Sequence, residues 1–97
     1  MLTNVEKTKL ERAFGMASGY VLAFSNRTFE GFFKDVVGVE IYSERYSQGT
    51  GSKANRLRAF WESALDDELL KFLEGILDGW ELYSDAPIPD PTLALLK

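Results

Sequence analysis

Asp66-Asp67-Glu68-Leu69-Leu70-Lys71-Phe72-Leu73-Glu74-Gly75-Ile76-Leu77-Asp78-Gly79-Trp80 is the stretch whose reading decides the fold. Its apolar residues Leu69, Leu70, Phe72, Leu73, Ile76, Leu77 and Trp80 recur at steps of three and four. That period belongs to an amphipathic helix, and the apolar face is broad enough to sit in the middle of a small core. Asp66 is placed to cap the helix, with Leu65 before it and Leu70 four positions inside forming a hydrophobic staple. Asp67 and Glu68 then lie near the positive end of the helix dipole. The helix ends at Gly79 or after Tyr83.

Three more helices read outward from this one. Ser52 is a fair N-cap for a helix from Lys53 to about Ala64, with Leu57, Phe60, Trp61 and Ala64 as its inward stripe. Ser25 caps a helix over Asn26 to Val37 that presents Phe29, Phe32, Phe33 and Val36 or Val37 and stops at Gly38. Phe24, just before that cap, is placed to staple onto Phe29. At the N-terminus, Thr3-Asn4-Val5-Glu6 spells a capping box, from which a helix runs through Leu10 and Phe14 to Gly15.

Between these helices the pattern weakens. Tyr20-Val21-Leu22-Ala23-Phe24 is an apolar run too short to assign by period, so residues 16–24 read as extended or irregular. Val39-Glu40-Ile41-Tyr42 alternates as a short strand does, which leaves a minimal extended pairing of the two segments open. Gln48-Gly49-Thr50-Gly51 is a loop by composition. The fold class expected is therefore mainly α, a compact bundle of about four helices. Its core is expected to contain Leu10, Phe14, Phe29, Phe33, Leu57, Phe60, Trp61, Leu69, Phe72, Leu73, Ile76 and Leu77.

A chain of 97 residues closes one core, and 45% apolar content with seven Phe, four Tyr and two Trp is far from a disordered composition. Residues 1–84 read as one helical module. Asp85-Ala86-Pro87-Ile88-Pro89-Asp90-Pro91 cannot be helical and reads as a linker, and residues 92–97 form an apolar stub. Together they suggest a chain that leads into a further domain. No basic start followed by an apolar run opens the sequence, and no apolar stretch approaches the ~20 residues a membrane span needs. A cytoplasmic protein is expected.

Composition also bounds the chemistry. Without cysteine or histidine, thiolate metal sites, disulfides and the commonest general base are excluded. No cofactor, metal ligand or catalytic residue is expected, and the chain does not read as an enzyme. Gly49-Thr50-Gly51-Ser52-Lys53 resembles part of a phosphate loop, yet Ser precedes Lys where the Walker pattern has the reverse. Asp66-Asp67-Glu68 is the densest carboxylate group, and helix capping accounts for it better than acid–base work.

The charge is unevenly spread. Residues 1–61 carry nine basic and six acidic side chains, and residues 62–97 carry two and nine. No acidic residue stands between Glu44 and Glu62, where Arg45, Lys53, Arg56 and Arg58 cluster, with Tyr46 placed to stack. These five are the candidate interaction residues, facing either an acidic protein surface or a phosphate backbone. The plainer reading pairs the arginines with the acidic fourth helix of the same domain, or leaves them merely solvated.

The strings Ser18-Gly19-Tyr20-Val21-Leu22-Ala23-Phe24-Ser25-Asn26-Arg27-Thr28-Phe29, Phe32-Phe33, Gly38-Val39-Glu40-Ile41-Tyr42 and Gly51-Ser52-Lys53-Ala54-Asn55-Arg56-Leu57-Arg58-Ala59-Phe60-Trp61 together resemble a known module. It is the N-terminal domain of AbiJ-type abortive-infection proteins, bacterial anti-phage defence proteins that carry a separate effector domain. The resemblance covers most of residues 3–80. It implies a non-catalytic regulatory or protein-interaction module whose partner is a covalently linked C-terminal effector domain or another protein. It carries over no catalytic residue. A nucleic-acid sensor using the basic patch is the alternative. Oligomeric state is not specified by either reading.

Overall fold

The computed structural model describes residues 2–47 and 51–83. The linker and apolar stub read at 85–97 lie outside the described residues, as do Gln48, Gly49 and Thr50 of the glycine loop.

Thr3 opens α1 (Asn4–Ala13) with the reciprocal box read from the sequence. The Glu6 amide donates to Thr3 Oγ1 at 3.2 Å and the Thr3 amide donates to Glu6 Oε1 at 2.8 Å. These bonds from Thr3 hold the Glu6 carboxyl below its ordinary range. Gly15, at φ 64°, lets the chain leave the helix in a left-handed conformation that a side chain would resist.

Residues 16–24 are irregular, beginning with a 3₁₀ turn at Met16–Ser18. No strand occurs among the described residues, so the extended pairing left open for Tyr20–Phe24 and Val39–Tyr42 does not form. The backbone of the first segment is satisfied elsewhere. The Leu22 amide reaches the Phe14 carbonyl at 2.7 Å and the Ala23 amide reaches that of Tyr83 at 2.8 Å. Leu22 itself turns with a positive φ of 48°. Its neighbours Val21 and Phe24 are buried, so the apolar run lines the core as a folded loop.

α2 (Asn26–Phe32) starts at Ser25, where Ser25 and Thr28 exchange side chain to backbone bonds. The staple is present, with the Phe24 and Phe29 rings 5.5 Å apart and edge to face. The expected single helix to Val37 is not uniform. From Phe33 to Val37 it widens into a π turn, closed by the Gly38 amide donating to the Phe33 carbonyl at 2.7 Å. The wider turn brings Phe32, Phe33 and Val37 all inward and leaves Val36 outside.

α3 (Lys53–Ser63) is capped by Ser52, whose hydroxyl accepts from the Asn55 amide at 3.2 Å. α4 (Asp66–Asp78) begins one residue earlier than Asp66 capping requires. Leu65 is its N-cap, and the Glu68 carboxylate accepts the Leu65 amide at 2.9 Å. The Leu65 and Leu70 staple is consequently lost, both side chains being exposed, and the equivalent positions fall to Ala64 and Leu69, which face the core. A final turn, α5 (Trp80–Tyr83), follows Gly79.

All seven phenylalanines are buried. Phe72 of α4 stands at their centre. Its ring lies 5.7 Å from Phe33 in a stack, 5.6 Å from Phe60, 6.1 Å from Phe32, 6.3 Å from Phe14 and 6.5 Å from Trp61. One side chain thus joins α1, α2, the π turn and α3. Of the expected core, Leu73 and Leu77 are only partly buried; Trp80, the last residue of the same stripe, joins it, and so do Met16, Ile41 and Tyr46 from segments without helical period. No helix among the described residues is long and apolar enough to cross a membrane.

Candidate functional site

The four clustered cations do not share one surface. Residues three apart on α3 point the same way and residues two apart do not, so Lys53 and Arg56 part from Arg58.

Arg56 turns toward the loop that follows Gly38. Its guanidinium donates to the carbonyls of Ile41 at 3.1 Å and Ser43 at 3.0 Å, and lies 5.0 Å above the Tyr42 ring. It fastens residues 41–43 to α3. The same contact matters electrostatically. Partial burial pushes the Tyr42 phenol up, the positive charge of Arg56 opposes that rise, and Glu30 adds to it.

Tyr42 connects Arg56 to Lys53 through one atom of α2. Asn26 Oδ1 accepts from the Tyr42 hydroxyl at 3.2 Å and from Lys53 Nζ at 3.0 Å. Lys53 Nζ also stands 4.9 Å from the centre of the Tyr20 ring, which is 61% exposed. Four separate segments therefore meet in one polar face. Beside it, Arg27 and Glu30 join Asn26 and Tyr42 in lining a shallow depression.

Arg58 faces α1 instead. Its Nε and Nη2 both approach Glu11 Oε1, at 2.7 and 2.6 Å, while Nη1 donates to Asn55 Oδ1 at 2.9 Å. Arg45 lies at the corner between α3 and α4, donating to the Ser63 carbonyl at 3.0 Å and standing 3.7 Å from the Glu68 carboxylate. Pairing with the acidic fourth helix, the plainer reading of the cluster, thus accounts for Arg45. Tyr46 is 1% exposed beneath it, so its ring is core and is not presented for stacking. The Phe60 ring packs against it in a tilted contact at 5.9 Å.

Of the five residues read from the sequence, the structure brings together Lys53 and Arg56 and adds Tyr20, Asn26, Arg27 and Tyr42. No periodicity marked the added four. Asn26 reads only as the first residue after a cap, and its meeting with Lys53 depends on how the bundle closes. The glycine loop ends, in its described part, as an ordinary capped helix start, because the Ser52 hydroxyl is used by Asn55.

Set against protein-family models, curated proteins and solved structures, the chain matches none.

Proposed function

We propose that this chain is a non-catalytic regulatory and interaction module of a bacterial abortive-infection protein, which senses a partner on one face and passes the event to a linked effector domain. The observation that carries this reading is the double acceptance at Asn26 Oδ1. It fixes Lys53 and Tyr42 in place before any partner arrives, and preorganisation of that kind reduces the entropy lost on binding. The partners Lys53 has among the described residues are neutral, an amide oxygen and a ring, so its charge is left for an outside group. The resemblance of most of residues 3–80 to the AbiJ-type N-terminal module supplies the cellular setting.

The test is phage challenge of a bacterial host carrying the full-length protein. Lys53→Glu reverses the charge of the face without entering the core, and is expected to abolish protection at unchanged protein level. Full protection by that variant would overturn the reading. The nucleic-acid alternative is favoured by one specific feature, the exposed Tyr20 ring next to Lys53.

A further inference from the structure

We propose that the face built by Tyr20, Asn26, Arg27 and Lys53 binds a nucleotide, its phosphate held by Lys53, Arg27 and the Asn26 amide group and its base stacked on Tyr20. This deepens the regulatory reading above and rests on it, since it names the chemistry of what the module senses.

The argument begins with donors and acceptors. Lysine has only donors, so the atom of Asn26 that meets Lys53 is the oxygen, and the Tyr42 hydroxyl shares it. Both lone pairs of Oδ1 are then taken within the protein. The amide nitrogen, with its two hydrogens, is left for the solvent side of an exposed residue. Arg27, the next residue, is exposed and has no hydrogen bond or ion pair among the described residues. Lys53 retains ammonium hydrogens beyond the one given to Asn26. At Asn26 and Lys53 the acceptor is used and the donors are spare, which makes that side of the face complementary to an anion.

One feature narrows the anion to a nucleotide, the Tyr20 ring. An inorganic anion has no use for an aromatic plane, whereas a base stacks on one. Lys53 lies over one face of the ring, so the base is placed on the opposite face and the phosphate at the ammonium, within the span of one nucleotide. Glu30 lines the same depression as Asn26, Arg27 and Tyr42, so a carboxylate borders the face as well. Beneath the face, Arg56 bonded to the Ile41 and Ser43 carbonyls adds a fixed positive charge and holds Tyr42 in register.

The same chemistry occurs in a free nucleotide and in a single strand. Binding to the full chain is measured by titration calorimetry with ATP and by fluorescence anisotropy with a labelled single-stranded DNA decamer of mixed sequence. Both are run at 50 and 200 mM salt, with inorganic phosphate as a competitor. At least one probe is expected to bind and to weaken with salt, and the one that binds identifies the source. Lys53→Ala and Tyr20→Ala are each expected to lower affinity at least tenfold.

Asn26→Asp guards against a variant that merely unfolds. It keeps an acceptor for Lys53 and Tyr42 and places a carboxylate at the start of α2, so the fold is expected to hold while the new charge repels phosphate and binding is lost. Failure of both probes to bind at 1 mM overturns the inference, as does undiminished affinity in folded Asn26→Asp. Equal competition by inorganic phosphate with no effect of Tyr20→Ala overturns the assignment of a base. Loss of phage protection in Lys53→Glu alongside absent nucleotide binding leaves the regulatory reading standing and removes this one.

Discussion

A methyl group on Gly75 would stand 2.5 Å from Cγ1 of Val36 and 3.2 Å from the Phe32 ring, so α4 and the π turn meet at a distance that only glycine permits. Two effects compete in Gly75→Ala. Helix propensity favours alanine by about 1 kcal/mol. Overpacking a filled contact costs about 1–3 kcal/mol, and here the obstacle includes buried Phe32 and the stiff side chain of Val36. Urea denaturation is expected to show a net loss of about 1 kcal/mol, and a more stable variant would contradict the close packing.

Phe72→Ala is expected to remove about 3–5 kcal/mol, because the cavity would open among rings from α1, α2, the π turn and α3 that cannot all collapse into it. For a domain of this size that is a large share of the total stability. Near-ultraviolet circular dichroism against temperature measures it. A loss below about 1 kcal/mol would mean that Phe72 is not central.

Arg56→Ala leaves the Ile41 and Ser43 carbonyls without their charged donor, at an expected cost of about 2–3 kcal/mol. Lysine is expected to restore less than half. Nη1 alone makes both bonds, so what lysine gives up is the planar guanidinium that lies on the Tyr42 ring while that one nitrogen sits between the carbonyls. Full rescue by Arg56→Lys in chemical denaturation would show that charge alone matters.

Tyr46 supplies a case in which less bonding stabilises. Its hydroxyl is buried and has no hydrogen-bond partner among the described residues. Tyr46→Phe removes that unsatisfied group and is expected to gain about 1 kcal/mol. Burial also raises the phenol above its ordinary pKa of 10.0, against the charge of Arg45 and with that of Glu68. A raised folded-state value gives stability that is complete below pH 10 and is lost as pH climbs through the folded value. Tyr46→Phe should therefore flatten the alkaline fall in melting temperature, leaving the share due to Tyr42, whose shift has the same sign. An unchanged alkaline profile would assign the fall elsewhere.

The Glu11 and Arg58 pair is short, but its side chains are 32% and 29% exposed. A double-mutant cycle with Glu11→Gln and Arg58→Gln is expected to give a coupling of about 0.5 kcal/mol that shrinks in 1 M salt. A coupling above about 2 kcal/mol would mark the pair as a principal tie between α1 and α3.

What the sequence made legible depended on range. Thr3 with Glu6, Ser25 with Phe24 and Phe29, and Ser52 with Asn55 act within one turn, and each does what its spacing implies. Asp66 is a better capping side chain than Leu65, so the sequence alone points to a cap one residue later than the one that forms. Tertiary placement of Ala64 and Leu69 outweighed that preference, and Glu68 made good the lost cap. Ile41 reaches the core from a four-residue alternation too short to place it, and Tyr46 from a segment without period, where nothing local announces burial. The candidate face was half legible. Lys53 and Arg56 share a helix face by spacing, but Asn26 and Tyr42 join them only once the bundle has closed.

The π turn at Phe33–Val37 has a bearing on how this chain can be compared with others. It holds one more residue than a regular turn, so side chains after it are rotated by about 100° from where an unbroken α-helix would put them. A helix aligned without a gap to Asn26–Phe32 falls out of phase beyond Phe33, matching surface to core. Deleting one residue between Phe33 and Val37 would restore regular geometry and turn the Gly38 bend, with the loop that carries Tyr42, away from Asn26. The extra residue therefore sets the phase between the core of this bundle and its polar face.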